Sequence, residues 1–363
     1  MCLHAKFRKN PKLQTSLQGQ IDNLLSKGYA KKLSPAEAEQ STGPVWYLPI
    51  FTTTNPNKPG KVRLVWDAAA KSNGVSLNDF INCGPDMLRS LPDVLLNFRV
   101  GKVAVCGDIA EMFHQINVID RDMHAQRFLW WDINDDPRHP SIYVMKALTF
   151  GISCAPCIAH YVRDINAEQF KDEFPRAVQA IQQFHYVDDF IDSVDDDQEA
   201  IQLSTQVKTI HSAGGFTIRS WSSNSAEVVA HLQDEKPANQ AAKDLATTEK
   251  VLGMFWDPNK DAFVYIFRFA RLRRDVLNAD IIPTKREMLQ VLMSIFDSLG
   301  FLSCYTTSLK ILLQEVWRSG IDWDEELPDP LHLKWKKWIT AISHISTVEI
   351  PRCQSHDLSS KLR

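Results

Sequence analysis

The order of the apolar patterns in the middle of the chain constrains the fold more than any other feature of the sequence. Runs of β-branched and aromatic residues predict strands, and apolar residues spaced three or four apart predict helices. The predicted elements are, in order, a strand at 102–109, a helix capped by Ser153, a two-stranded hairpin at 184–194, a helix ending at Gly214-Gly215 and a strand at 215–221. This is the order of a ferredoxin-like unit, an antiparallel sheet backed by two helices. The first strand then lies beside the hairpin, so Asp108 can approach Asp188 and Asp189.

Three carboxylates at one sheet edge are costly unless they share a proton or bind cations. An Asp-Asp pair alone would be an ordinary turn. Here the pair lies inside a hydrophobic hairpin, and a third acid ends the neighbouring predicted strand. This arrangement suits a site for phosphoryl transfer, in which two Mg²⁺ ions lie roughly 3.5–4 Å apart. Magnesium needs few protein ligands, because water and substrate phosphates complete its coordination.

The formal net charge of −3 conceals an uneven distribution of charge along the chain. Residues 1–32 carry seven Lys and Arg against one acid, whereas residues 182–199 carry seven acids and no Lys or Arg. Further basic clusters lie at 268–274 and 334–337. The distribution suits a cation-binding centre flanked by phosphate-binding surfaces, although solvated faces would explain each cluster taken alone.

The cysteines predict no disulfide framework, because seven of them are scattered over 363 residues. Cys154 and Cys157 form a C-x-x-C with His160 three residues on, but a zinc site would need a fourth ligand. A redox dithiol would need a thioredoxin-like context, which is missing. We therefore expect two reduced cysteines in an ordinary helix.

No apolar stretch reaches the ~20 residues that span a bilayer. The start of the chain, MCLHAKFRKNPK, lacks the apolar segment of a secretory signal. An intracellular protein, cytoplasmic by default and with no membrane partner, is expected.

Several motifs carry a family resemblance. YVDD at 186–189 resembles the catalytic hairpin of reverse transcriptases, and GDIAEMF at 107–113 resembles their first catalytic segment. Six further blocks look like the reverse transcriptase region of BEL/Pao-type LTR retrotransposon polyproteins: WYLP (46–49), VRLVWDAAAKSNGVSLND (62–79), DIAEMFHQI (108–116), LTFGISCAP (148–156), GGFTIRSWSSN (214–224) and TKRE…SIFDSLGFL (284–302). The resemblance runs from about residue 10 to 350.

The resemblance implies an α+β fold of the right-hand polymerase type, with fingers, a ferredoxin-like palm and a helical thumb. The implied segments are 1–83 for the N-terminal segment and fingers, 84–116 for the first part of the palm, 117–150 for the second part of the fingers, 151–270 for the palm with a primer-grip-like hairpin, 271–350 for a thumb- or connection-like helical region and 351–363 for a disordered tail.

The resemblance also implies roles for single residues. Asp108, Asp188 and Asp189 match the catalytic carboxylates that bind two Mg²⁺ or Mn²⁺ ions. The implied nucleotide-binding residues are Arg63 and Lys61 for the triphosphate, Phe113 as a steric gate below the sugar, Phe150 and Gly151 beside the incoming nucleotide, and Tyr186 near the primer end. Taken alone, Phe113 would be a core residue and Arg63 an exposed strand residue.

The implied activity is RNA- and DNA-directed DNA synthesis from dNTPs on a primed RNA or DNA template. The alternative is an inactive retroelement remnant that only binds nucleic acid. It is motivated by three departures from the family pattern: Ile50-Phe51 after WYLP, Ser298 in place of a Pro, and Ser220 in place of a basic residue. An acid-lined metal hydrolase with no template fits less well, because it leaves the order of the blocks unexplained. The sequence is further expected to stop before an RNase H region.

Overall fold

The structure is a computed structural model, and it describes residues 7, 10–39, 43–54, 62–131, 138–233, 249–267, 269 and 272–354. The chain divides into two compact units. Unit 1 comprises Met1–Leu88, Ile109–Val178 and Lys208–Thr217, and unit 2 comprises Arg89–Asp108, Gln179–Val207 and Ile218–Arg363. The C-terminal tail expected at 351–363 lies mostly outside the described residues.

The strands of the described residues are short. They are β1 Ala30–Lys32, β2 Ile50–Thr54, β3 Val62–Trp66, β4 Val103–Ile109, β5 Arg127–Trp130, β6 Ser141–Met145, β7 His185–Tyr186, β8 Asp189–Val194, β9 Ile218–Ser223, β10 Glu249–Val251, β11 Met254–Asp257, β12 Ala262–Val264 and β13 Glu349–Pro351.

The α-helices of the described residues are four to 17 residues long. They are α1 Pro11–Ser26, α2 Pro35–Glu39, α3 Leu91–Asn97, α4 Asp120–Met123, α5 Ala155–Glu168, α6 Pro175–Gln183, α7 Asp197–Ala213, α8 Ala226–Gln233, α9 Arg274–Leu277, α10 Lys285–Met293, α11 Ser303–Arg318 and α12 Asp329–Ser343. None of these helices is long and apolar enough to cross a membrane.

One sheet of unit 2 contains the predicted carboxylates. Its strand order is β7-β8-β4-β9, so the first predicted strand lies between the hairpin and the last one. This is the order of a ferredoxin-like sheet, as the sequence predicts. β4 runs antiparallel to β8 with Asp108 directly opposite Asp189, and β7 pairs with β8 as the predicted hairpin.

A hydrophobic core inside unit 2 supports this sheet. Ala104 of β4 and Ile191 of β8 belong to one buried cluster with Phe98 and Trp256. The rings of Phe98 and Trp256 meet edge to face at 5.2 Å, a favourable geometry for aromatic side chains. Trp256 comes from β11 of the second sheet of the unit, whose strand order is β10-β11-β12-β13. The apolar runs VLGMFWD and AFVYIF predict a hairpin joined across Asp257 to Asp261, and β11 and β12 form it.

The C-terminal part of unit 2 is helical, as the resemblance implies for residues 271–350. Thr284 and Glu287 form a reciprocal capping box that starts α10. The helices pack around Trp335, which is fully buried. Arg352 is also fully buried; it pairs with Asp261 at 2.6 Å and donates hydrogen bonds to backbone carbonyls near the start of β4.

Unit 1 contains the sheet β1-β6-β5, the hairpin β2-β3 and helix α5. The helix begins one residue later than predicted, since its N-cap is Cys154 instead of Ser153. The helical spacing of Ile158, Val162 and Ile165 predicts that these side chains form the apolar face of the helix. This prediction is wrong for Ile165, whose side chain is 49% exposed. The buried face instead contains small residues such as Ala159 and Ala167, which allow neighbouring backbone to approach closely.

Candidate active site

A two-residue turn between β7 and β8 presents the first carboxylate. Tyr186 pairs with Asp189, so Val187 and Asp188 form the loop. Val187 has φ +59°, the positive value that a type II′ turn requires at its first central position. A β-branched residue in this conformation is strained, at a cost of about 1–3 kcal/mol. Strain of this kind is typical of functional sites, where the surrounding structure holds the backbone in place.

The three predicted carboxylates come together. One oxygen atom each of Asp108, Asp188 and Asp189 lies within 4.8 Å of the others, and all three side chains are partly buried. Among the described residues this is the only group of three or more acidic, His or Cys side chains close enough to share a metal ion. The sheet closes a gap of 80 positions between the first acid and the second, as the sequence predicts.

The electrostatics of the group are unfavourable in the absence of a cation. Burial raises the pKa of Asp188, and the nearby Asp108 carboxylate acts in the same direction. Burial together with repulsion from Asp188 and Asp108 raises the pKa of Asp189 to about 7. Near neutral pH the site therefore holds excess negative charge that a proton or a divalent cation relieves, which is the behaviour of a metal site.

One counter-ion of the group was missed by the sequence reasoning. The Arg219 Nε donates to Asp108 Oδ2 at 3.0 Å. Both side chains are substantially exposed, so the pair contributes little stability. Arg219 lies in β9, which is adjacent to β4. The alternation of apolar and polar residues in the predicted strand at 215–221 was the sequence signal that could have identified it.

Gly107 sets how closely β9 packs against β4 beside the first acid. A Cβ atom at this position would lie 2.7 Å from Ile218 Cγ2 and 3.0 Å from the Trp221 ring, both on β9. Real Cβ atoms do not make contacts this short. A glycine directly before Asp108 therefore allows the two strands to pack closely where the carboxylate is presented.

Most of the nucleotide-binding residues implied by the resemblance lie in unit 1. Phe113 is buried, Phe150 is 47% exposed, and their ring centroids are 4.5 Å apart. Gly151 has φ +96°, and a Cβ there would lie 2.6 Å from the Trp66 carbonyl oxygen. The segment is fixed further by Asn78, whose side chain donates to the Gly151 carbonyl at 3.1 Å.

The other implied residues are placed as follows. Arg63 is an exposed residue of β3, opposite Thr53 of β2. Tyr186 lies in unit 2 at the end of β7, opposite Asp189. Lys61 falls outside the described residues.

Comparisons with known proteins gave one match to a family model and matches to solved structures. A family model described as a Pao retrotransposon-like RNaseH-like domain matches residues 284–362. No curated protein matches the sequence.

Solved structures of foamy viral protease-reverse transcriptase are similar in fold. The form called dRH, in complex with double-stranded DNA, matches at 15% identity with a TM-score of 0.58, over 91% of this chain and 48% of that one. The complex with RNA/DNA hybrid matches at 15% identity with a TM-score of 0.58, over 93% of this chain and 38% of that one. A further complex with double-stranded DNA matches at 15% identity with a TM-score of 0.57, over 91% of this chain and 57% of that one. The chain thus shares their mixed α/β fold and spans at most 57% of their length.

The family match corrects one expectation. The sequence was predicted to stop before an RNase H region, and the match at 284–362 shows that this prediction is wrong. The absence of an obvious acidic signature led to the error. The described part of this range forms helices α10 to α12, a short 3₁₀ helix and β13. The carboxylate group at Asp108, Asp188 and Asp189 lies outside it.

Proposed function

We propose that the chain is an RNA- and DNA-directed DNA polymerase, a reverse transcriptase of retrotransposon origin. The observation that carries the proposal is the convergence of three carboxylates from β4 and the β7–β8 turn on a ferredoxin-like sheet. The fold similarity to reverse transcriptases solved with double-stranded DNA and with RNA/DNA hybrid supports a primed nucleic acid as the substrate. The catalytic group lies outside the range matched by the RNaseH-like family model, which favours a polymerase centre for it.

The residues present fit a pair of divalent cations. Hard oxygen ligands suit Mg²⁺ or Mn²⁺, and the burial and mutual repulsion that raise the pKa of Asp188 and Asp189 support a bound cation in this proposal. Asp108 and Asp188 are the principal ligands in this proposal, with Asp189 as the third. Bound there, the ions supply activation of the primer 3′-hydroxyl and stabilisation of charge on the triphosphate.

The remaining side chains have roles in binding in this proposal. Arg63 and Lys61 neutralise the triphosphate through charge-assisted hydrogen bonds. Phe113, buttressed by Phe150 at 4.5 Å, excludes a 2′-hydroxyl. Gly151 leaves room beside the base. Tyr186 meets the primer end.

The right-hand architecture belongs to the same proposal. Residues 1–83 and 117–150 form the fingers, 84–116 and 151–270 the palm, and 271–350 the thumb- or connection-like region in this proposal. The last of these ranges overlaps the 284–362 range of the RNaseH-like family match. The carboxylate-bearing sheet is then the palm sheet, and the hairpin that contains Trp256 is the primer grip.

Primer extension on poly(rA)/oligo(dT) with dTTP and Mg²⁺ or Mn²⁺ tests the catalytic assignment. We expect the wild-type chain to extend the primer, and Asp108→Asn and Asp188→Asn to abolish extension while the fold is retained. Asp195→Asn is the matched control, because this exposed acid follows β8 outside the carboxylate group. Extension by either of the first two variants at the wild-type rate would contradict the assignment.

The steric-gate role of Phe113 has a separate test. Phe113→Ala should raise the incorporation of ribonucleotides relative to deoxynucleotides, because the ring no longer occupies the space of the 2′-hydroxyl. Phe80→Ala, at an aromatic side chain that is 70% exposed, is the control. Unchanged sugar selectivity in Phe113→Ala would remove this role from the proposal.

A second candidate is a polymerase-like fold that binds nucleic acid without chemistry. The observation that favours it is the contact of Arg219 with Asp108, which places a guanidinium against a carboxylate that would bind metal. This candidate predicts salt-sensitive binding of a primer–template duplex and no extension even with Mn²⁺.

A further inference from the structure

One residue with a strained backbone lies shortly before the proposed sugar gate in unit 1. Glu111 has φ +52° and ψ +38°, a left-handed conformation that non-glycine residues rarely adopt. It immediately precedes the 3₁₀ helix Met112–Gln115, which contains Phe113. The direction in which the Phe113 ring leaves the backbone therefore depends on the conformation of Glu111. The proposed function assigns no role to Glu111.

Two residues at the C-terminal end of α1 hold the Glu111 side chain. Lys27, the C-cap of this helix, donates from Nζ to Glu111 Oε1 and Oε2, each at 2.8 Å. The Tyr29 hydroxyl donates to Glu111 Oε2 at 3.1 Å. Gly28 between them has φ +73°, a value that glycine adopts without steric cost, so the chain turns sharply between the two donors. The carboxylate thus accepts three hydrogen bonds from one turn of the chain.

Tyr29 also connects the two ends of the segment 110–115. The side-chain amide of Gln115 donates to the Tyr29 hydroxyl at 2.9 Å and to the Ala110 carbonyl at 3.3 Å. The Tyr29 carbonyl accepts from the Lys146 amide at 2.8 Å, which fixes the tyrosine beside the end of β6. Both ends of the segment are therefore tied to one fixed side chain.

The protonation states agree with these hydrogen bonds. Burial raises the pKa of the Glu111 carboxyl, but the hydrogen bond and the charge of Lys27 outweigh burial, so this pKa lies below its ordinary value. Burial raises the pKa of Tyr29, and the Glu111 carboxylate acts in the same direction. At neutral pH an ionised carboxylate therefore accepts from a protonated hydroxyl.

The network is too exposed to contribute much to the stability of the whole fold. The side chains of Lys27 and Glu111 are 40% and 32% exposed, and ion pairs of this kind contribute little to global stability. A left-handed backbone at a non-glycine residue persists only where the surrounding contacts hold it. The main effect of the network is therefore local, on the backbone of the segment that contains Phe113.

We propose that Lys27 and Tyr29 are positioning residues for sugar selection. They hold Glu111 in the left-handed conformation that presents Phe113. The inference rests on the proposed role of Phe113 as a steric gate. The Phe113 side chain is 7% exposed, and its ring centroid lies 4.5 Å from that of Phe150. When Glu111 relaxes, the Phe113 ring shifts relative to Phe150 and space for a 2′-hydroxyl opens.

Sugar selectivity is measured as the ratio of kcat/KM for dTTP to kcat/KM for UTP on poly(rA)/oligo(dT), with kcat and KM determined separately. We expect Glu111→Ala to lower this ratio about tenfold, the change that about 1.4 kcal/mol produces, mainly through more efficient use of UTP. Lys27→Met and Tyr29→Phe should lower it in the same direction, whereas Lys27→Arg, which keeps the charge and the donor, should retain the wild-type ratio. Lys31→Met is the matched control, because Lys31 forms a comparably exposed ion pair with Glu37 at 3.2 Å in the same unit.

A glycine variant separates positioning from a general loss of contacts. Glycine adopts a positive φ without strain, so Glu111→Gly should keep a higher ratio than Glu111→Ala, although both variants lose the same hydrogen bonds. Lys27→Met should then have little further effect in the Glu111→Gly background, because its partner is absent and the backbone no longer needs to be held.

Amide hydrogen exchange follows the backbone without any need for activity. The amides of His114 and Ile116 donate to the carbonyls of Glu111 and Phe113 at 2.8 and 3.2 Å. These amides should exchange about tenfold faster in Lys27→Met than in the wild type at the same pH, because the segment opens locally more often. Lys31→Met should leave their exchange unchanged.

The outcomes distinguish this inference from the proposed function. A wild type that extends the primer, together with an unchanged ratio in Glu111→Ala and Lys27→Met, would overturn the inference alone. A lower ratio in Glu111→Gly than in Glu111→Ala would also overturn it. A wild type that does not extend the primer would overturn the proposed function and the role in sugar selection with it, and unchanged exchange in Lys27→Met would refute the holding of Glu111 itself.

Discussion

The pKa of Asp189 gives a prediction whose sign and size follow from the structure. This carboxyl has an ordinary pKa of 3.8 when unfolded and about 7 in the folded chain. The folded state therefore binds more protons than the unfolded state between these two values, so stability falls as the pH rises through this window. A pKa rise of this size corresponds to a loss of about 4 kcal/mol in the free energy of unfolding at high pH. Solvent screening of the partly exposed carboxyl reduces this loss to about 2–4 kcal/mol.

Replacing Asp189 with Asn removes the charge and keeps the shape. We expect Asp189→Asn to stabilise the sheet at pH 8 without divalent ions by about 2–4 kcal/mol. It should have almost no effect near about pH 2.5, more than one unit below the unfolded pKa of 3.8, where the wild-type carboxyl is protonated in both states. Added Mg²⁺ should stabilise the wild type more than the variant, because a ligand that binds only the folded state shifts the equilibrium toward it.

Amide hydrogen exchange in β4 and β8 measures this effect locally. The same amide is compared in the two proteins at the same pH, so the intrinsic exchange rate cancels. At pH 8 exchange should be about 30- to 1,000-fold slower in the variant, which is the stability difference expressed as an equilibrium ratio. Asp195→Asn is the control and should change the rates little. Faster exchange in Asp189→Asn at pH 8, or a difference that does not depend on pH, would refute the reasoning.

Three further predictions concern stability in urea unfolding. Gly107→Ala should destabilise the protein by about 1–3 kcal/mol, because the new Cβ would overlap the neighbouring strand. Gly19→Ala in α1 should stabilise it by about 0.5–1 kcal/mol, because no atom lies within 4 Å of the added Cβ. Equal effects of the two substitutions would contradict the packing argument. Val187→Gly should be more stable than Val187→Ala by about 1 kcal/mol, the reverse of the usual order, since the position has positive φ; the usual order would disprove the strained turn. Arg352→Met should cost about 3–5 kcal/mol, because it removes the counter-ion of the partly buried Asp261 and the donor to the Gly101 and Lys102 carbonyls. The exposed Arg286→Met should cost less than about 1 kcal/mol; similar costs would show that the buried network does not stabilise the unit.

The local patterns of the sequence predicted the elements of the carboxylate-bearing sheet well. β4 and the β7–β8 hairpin are short and strongly apolar, and each lies where the alternation of residue types places it. The ferredoxin-like order of the elements then predicted that Asp108 lies next to the hairpin, because in this topology the first strand pairs with the hairpin.

Contacts between segments distant in sequence could not be predicted in the same way. The partnership of Arg219 with Asp108 depends on the register of two strands separated by more than a hundred residues. The buried face of α5 was misjudged because small residues, which carry a weak periodic signal, form it. The contact between Gly84 and the sulfur of Cys157 could not be predicted either, since nothing in the local sequence indicates that these two segments meet.

One reaction tests the central claim that Asp108, Asp188 and Asp189 form a polymerase centre. An RNA/DNA hybrid labelled on both strands is incubated with dNTPs and Mg²⁺, and primer lengthening and RNA cleavage are followed together in the wild type and in Asp188→Asn. The account predicts lengthening of the DNA primer by the wild type, its loss in the variant, and no effect of the substitution on any cleavage of the RNA. RNA cleavage that disappears in Asp188→Asn, with no primer lengthening by the wild type, would show that the carboxylates serve a nuclease and contradict the account.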